Sequence, residues 1–197
     1  GGDVSSNFSL FDLFVKLLAH SAYGSQTFLF VLGNHEFWEF PDLSVEHITD
    51  KYRKLLKKHG MYLLQNDLFY KNEFDDMGII PYAELEQMTN AELTERLRCS
   101  RLVVFGGTGF SGCNVEFNAN NGIYWNTIDR ETEIQESKKF DNLYQKLLPV
   151  LDQKNTVILT HTPQKDWSSN PKSHFKFVYV SGHTHRNVFY DDGEERI

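Results

Sequence analysis

The 197-residue chain has only two cysteines, Cys99 and Cys113, and neither belongs to a Cys-x-x-Cys pair. That excludes a disulfide-stapled scaffold and a cysteine-built zinc site, and it reads as two reduced thiols in a cytoplasmic protein. No apolar run approaches the ~20 residues a membrane-spanning helix needs. The chain also lacks a basic excess. Its net charge is −7, which argues against a polyanion-binding face, because nucleic-acid binders neutralise phosphates with clustered Lys and Arg. No internal repeat or low-complexity tract appears. What is present is a globular composition, 40% hydrophobic and 24% charged, with 16 Phe and nine Tyr, enough for a large aromatic core or an aromatic-lined cleft.

Hydrophobic patterning divides the chain into alternating helices and buried strands. A helix is expected over residues 9–22, with Leu10, Phe14, Leu17 and Leu18 as its apolar stripe, and a continuously apolar strand over 27–32. Ser44 reads as the N-cap of a second helix whose stripe is Val45, Ile48, Tyr52, Leu55 and Leu56. Lys57 and Lys58 suit its carboxyl end and Gly60 stops it. Met61 to Leu64 reads as a strand. Residues 65–125 look loop-rich, with short strands near 67–70 and 101–105 and a helix over 91–98 capped by Asn90. The run Gly106-Gly107-Thr108-Gly109 is not followed by Gly-Lys-Ser/Thr, so it is read as an irregular loop near a site mouth and not as a phosphate loop. A long helix from Glu131 to Leu148, with Phe140, Leu143, Tyr144, Leu147 and Leu148 on one face, ends at Pro149. Strands over 156–160, 177–180 and 187–190 complete a single α/β domain.

Polar ligand types recur just after the strands. Gly33-Asn34-His35-Glu36 follows Phe28 to Leu32, His161 follows Val157 to Thr160, and Ser181-Gly182-His183-Thr184-His185 follows Phe177 to Val180. Asp3 lies in Gly2-Asp3 at the start. In open α/β sheets, sites form outside the carboxyl ends of strands. Carboxylate, amide oxygen and imidazole together suit Mn, Fe or Zn better than Ca or Mg. His20, His47, His59 and His174 read as ordinary surface or core histidines; Trp38, Phe40, Trp125 and Trp167 read as core or rim packing ahead of the alternative, the lining of a nucleotide-sized cleft.

In order and context these motifs resemble the calcineurin-like metallophosphoesterases over almost the whole chain. The resemblance implies an α/β/β/α sandwich of two sheets. It implies a truncated N-terminus, because Gly-Asp closes the second strand in that family and a first strand carrying Asp-x-His would lie upstream. It implies two divalent metal ions, with Asp3 bridging them, Asn34, His161 and His183 completing one site, and His185 in the other. His35 would act on substrate, as general acid or phosphate-polarising group. The protein-phosphatase branch reads Gly-Asp-x-x-Asp-Arg-Gly, whereas Ser6 and Asn7 stand here where that branch has Asp and Arg. This removes the residue that would orient His35, leaving Glu36 as a partner by adjacency alone, and it points away from phosphoprotein substrates. The implied activity is metal-dependent hydrolysis of small phosphomonoesters or phosphodiesters, nucleotides among them. A scaffold that keeps the fold without turnover, as in the metallophosphoesterase-like subunit of retromer, is the alternative, and a nuclease is a weaker third reading.

Overall fold

The computed structural model describes residues 1–21, 26–170 and 177–185, together with the backbone of 189–191 and 194–196. The expected positions His174 and 187–188 lie outside the described residues. The N-terminal half runs α1 (Phe8–Ser21), β1 (Leu29–Phe30), α2 (Val45–Lys58), β2 (Tyr62–Leu63), β3 (Asp67–Asn72), β4 (Met77–Ile80), α3 (Tyr82–Gln87) and α4 (Asn90–Leu97). Then come β5 (Ser100–Gly107), α5 (Arg130–Leu147), β6 (Thr156–Thr160), α6 (Gln164–Trp167), β7 (Val178–Val180), β8 (Phe189–Asp191) and β9 (Glu194–Arg196). Strands β1 and β2 pair in parallel, and a five-stranded sheet has the order β4-β3-β5-β6-β7. Its β5-β6-β7 half is parallel and its β4-β3-β5 half antiparallel.

Alternation along the strands sorts the side chains into three apolar layers. Val31, Leu64, Phe69 and Val104 pack between the two sheets, joined by Leu29, Val157 and Leu159. On the outer face of β1-β2, Leu32 and Leu63 meet Phe11, Val15, Ile48, Tyr52, Leu55 and Leu56 of α1 and α2. On the far face of the larger sheet, Leu68, Val103, Phe105 and Ile158 meet Leu85, Leu93, Phe140, Leu143 and Tyr144 of α3, α4 and α5. The result is the expected α/β/β/α sandwich.

Three local expectations change. The α1 face that packs inward carries Phe11 and Val15, while Leu10, Leu13, Phe14 and Leu17 are exposed. Apolar residues line most of this helix, so periodicity alone does not choose its buried side. The cap of α4 is Thr89, not Asn90, in a capping box completed by Glu92; the box ties up two free N–H groups reciprocally. The stretch from 65 to 107 is ordered into three strands and two short helices, and irregular backbone is confined to the segment after Gly107. As expected, Ser44 caps α2, its hydroxyl accepting the His47 amide. Trp167 is buried in the core, and Cys99 and Cys113 are free and exposed. Among the described residues no helix is long and apolar enough to cross a membrane.

Candidate metal centre

The parallel strands deliver the site. Gly107 of β5 is in register with Thr160 of β6, so His161 emerges at the carboxyl edge of the sheet, and β7 beside it leads to His183. The Gly33–Glu36 turn follows β1 at the same edge. Two glycines permit the approach. A Cβ on Gly2, whose φ is +77°, would sit 2.5 Å from the Gly33 nitrogen and 2.6 Å from His161 Nδ1. A Cβ on Gly33 would lie 2.6 Å from the Asp3 nitrogen. Any side chain would wedge the two turns apart. Asp3, His183 and His185 all have left-handed backbone, with φ of 56°, 67° and 54°, a conformation that costs free energy and concentrates at functional sites.

Four side chains converge. His161 Nε2 lies 3.0 Å from Asn34 Oδ1, 3.1 Å from His183 Nδ1 and 3.4 Å from Asp3 Oδ2. His183 Nδ1 lies 3.2 Å from Asn34 Oδ1. The polarity of His161 and of Asn34 is fixed from behind. His161 Nδ1 faces the Gly1 carbonyl at 3.0 Å, so it carries the proton and Nε2 presents a lone pair. The Asn34 amide donates to the Ile123 carbonyl at 2.9 Å, which turns its oxygen inward. Burial holds His161 below the ordinary imidazole range, the Asp3 charge opposing it. Burial, then the neighbouring His161, holds His183 down to about 4. Lone pairs of His161 Nε2, Asn34 Oδ1 and the Asp3 carboxylate thus converge beside the neutral His183 ring, whose Nδ1 faces the same point.

A cation fits this arrangement. Ligand atoms at ~2.0–2.2 Å from one ion sit roughly 3–3.5 Å apart, the spacing observed. Asp3, His161 and His183 form a metal-sized group of titratable ligands among the described residues. His183 Nε2, the ring nitrogen turned away from the cluster, is buried with no hydrogen-bond partner among the described residues. His185 is exposed and stands outside that group.

Residues 1–187 match the family model for calcineurin-like phosphoesterases. The chain belongs to that family. Neither the curated proteins nor the solved structures give a match. The family comprises metal-dependent phosphoester hydrolases that bind two divalent ions.

His35 occupies the rim. Its Nε2 lies 3.8 Å from Asp3 Oδ2, and its amide donates to Asp3 Oδ1 at 3.0 Å. Glu36 is not its partner. The Glu36 carboxylate is fully buried and accepts the amides of Asp3 (2.9 Å), Val4 (2.6 Å), Ser5 (3.1 Å) and Gly33 (2.7 Å). Burial raises its pKa, and the N–H groups oppose the rise. Glu36 therefore builds the turn that presents Asp3. Nothing in residue spacing marks that role, because all its partners are backbone. Against His35 lies the Trp38 ring, with centroids 3.8 Å apart. The segment after Gly107 does reach the site: Ile123 holds Asn34, and Phe117 meets the His183 ring edge-on.

Proposed function

We propose that this protein hydrolyses small phosphomonoesters or phosphodiesters, with Asp3, Asn34, His161 and His183 holding one divalent ion and Asp3 and His185 contributing to a second. Mn, Fe or Zn suits the mixed N/O donor set. When bound, such ions supply positive charge to the phosphate oxygens and make water acidic enough to furnish hydroxide near neutral pH. The chain's own residues do the rest. The Gly1 and Ile123 carbonyls hold His161 and Asn34 in the orientation that keeps lone pairs inward. Glu36 holds the Asp3 turn, and Asp3 adds negative charge beside His35. His35 protonates the departing oxygen as the ester bond breaks and the new phosphorus–oxygen bond forms, so the products are phosphate, or a phosphomonoester, and an alcohol. Asn7 and Ser6, in place of an Arg and an Asp, leave no cationic grip for a phosphoprotein. The net charge of −7 gives no steering toward nucleic acid, and the protein works in the cytoplasm.

The observation that carries this reading is the convergence of Asp3, Asn34, His161 and His183 with His35 at their rim. A panel of aryl phosphate, bis-aryl phosphate, nucleotide, phosphopeptide and single-stranded DNA, assayed with saturating Mn²⁺, tests it. Small esters should be cleaved fastest. Faster cleavage of phosphopeptide or DNA would overturn the substrate class, and no turnover with metal bound would indicate a scaffold.

A further inference from the structure

His35 is anchored through its backbone, whose amide donates to Asp3 Oδ1 at 3.0 Å. Its ring is another matter. Among the described residues neither ring nitrogen has a hydrogen-bond partner, and Asp3 Oδ2 stands 3.8 Å from Nε2, beyond hydrogen-bond length. Ser6, where the protein-phosphatase branch has the Asp that orients this histidine, is exposed and has no hydrogen bond to it. The His35 side chain is 33% exposed, so an imidazole with nothing against it would exchange between rotamers.

What lies against it is Trp38. His35–Phe37 form a single 3₁₀ turn, and the Trp38 amide donates to the His35 carbonyl at 3.2 Å. Side chains three residues apart eclipse in such a turn, which sets the indole 3.8 Å from the imidazole, tilted by 31°. The indole is itself fixed on two sides. Its N–H donates to the Ile123 carbonyl at 2.8 Å, the oxygen that also receives the Asn34 amide at 2.9 Å. Trp125 stacks on it with centroids 4.1 Å apart and planes within 3°. Two rings that close to a third cannot share one of its faces without colliding, so His35 covers one side of Trp38 and Trp125 the other. One carbonyl oxygen thereby ties the His35 ring and the Asn34 ligand to a common reference point.

We infer that Trp38 is the positioning residue of His35, its indole face aiming the imidazole as a hydrogen-bonding carboxylate would, with Trp125 as the wall behind it. This rests on the reading of His35 as proton donor given above. A general acid must come within ~2.6–3.2 Å of the oxygen it protonates, and a ring that swings between rotamers spends only part of its time there. Stacking restricts the swing and leaves both nitrogens open, so Nε2 can deliver its proton without first giving up a hydrogen bond. An aromatic face also holds the ring in either charge state, because it attracts a cation and packs against a neutral ring.

The test compares two monoesters on the full chain with saturating Mn²⁺. Ethyl phosphate has an alkoxide leaving group that needs a proton, and para-nitrophenyl phosphate has a phenolate that leaves without one. Trp38→Leu should lower kcat on ethyl phosphate ~3–10-fold, the size expected for one aromatic stack. KM, Mn²⁺ affinity and kcat on the nitrophenyl ester should stay nearly unchanged. Trp38→Phe, which keeps an aromatic face, should recover most of the loss. In a His35→Ala background Trp38→Leu should cost nothing further, because the two residues act as a unit. A readout free of turnover is proton NMR of the chelated protein. The His35 ring protons, assigned with His35→Ala, should lie upfield of those of exposed His20 through the indole ring current, and Trp38→Leu should abolish that shift. If Trp38→Leu does not fold, Trp125→Ala, made at an exposed position behind Trp38, should show the same leaving-group pattern with a smaller loss. Equal losses on both esters, an undiminished loss in the His35→Ala background, or ring protons that do not respond would overturn the positioning role. No turnover of either ester by the metal-loaded wild type, with the ring protons responding as expected, would remove the hydrolase reading and leave the clamp on His35 standing.

Discussion

The carboxylates of Glu36 and Asp3 are neighbours with opposite orientations. Glu36 accepts the Asp3 amide at 2.9 Å from beneath the turn, while Asp3 directs Oδ2 at His161, 3.4 Å away. One carboxylate builds the backbone that the other uses.

That division predicts the effect of Glu36→Gln. The variant replaces one accepting oxygen with an N–H₂ group facing buried amides, so it should lose ~2–4 kcal/mol of stability, since each stranded buried donor costs ~1–3 kcal/mol. Mn²⁺ affinity should fall as well, although Glu36 does not face the donor cluster. Denaturant unfolding of the chelated protein and calorimetric metal titration check the two parts, and unchanged affinity would detach Glu36 from the site.

His35 and His183 should separate chemically. His35→Ala should lower kcat by ~10²–10⁴, the usual contribution of a general acid, and leave metal content nearly intact. His183→Ala should empty a site. Metal analysis beside steady-state kinetics distinguishes them, and equal metal loss in the two variants would show that His35 is itself a ligand.

Metal should stabilise the fold by linkage. An ion held a hundredfold above its Kd adds ~2.7 kcal/mol, so chelation should lower Tm by several degrees. Titration should show one tight equivalent ahead of a weaker second, because one set has four donors and the other only Asp3 and His185. Two equally tight ions would require a different ligand assignment.

Glu133 gives a pH signature remote from the metal. Its buried carboxylate accepts the Ser111 and Ala119 amides and pairs with Arg130, and burial raises its pKa above 4.5. The folded state then binds the proton more tightly than the unfolded chain. Its contribution is fully present below pH ~4.5 and is lost as pH rises through the folded value. The Tm of wild type relative to Glu133→Gln should therefore increase as pH falls from 7 toward 4.5. A flat or opposite difference would contradict it.

The motif residues were legible because their chemistry is carried by side-chain type. Asn34, His161 and His183 each follow an apolar strand; parallel pairing of β6 with β7 brings the ends that carry His161 and His183 together, and packing of the two sheets sets the end of β1 beside them. Less visible were contacts made by backbone. The Glu36 carboxylate and the Ile123 carbonyl organise the site through amide hydrogens and an oxygen that every residue possesses. The buried face of α1 was hidden for another reason: Phe11 and Val15 compete with Leu10, Phe14 and Leu17, and only the tertiary fit decides between two apolar stripes. Strand β4 and helix α3, four and six residues long, are too short to declare a period.

The Gly1 carbonyl and the His161 ring are 160 residues apart in sequence, and Asn34 and His183 are 149 apart. No fragment that stops before β7 contains the donor cluster, however well its earlier helices and strands have formed. During synthesis, at ~5–20 residues per second, the growing chain must expose Asp3 and Asn34 for many seconds before their partners exist. Metal capture is thus a late event in the life of each molecule. An ion bound there would certify that the two sheets have packed together.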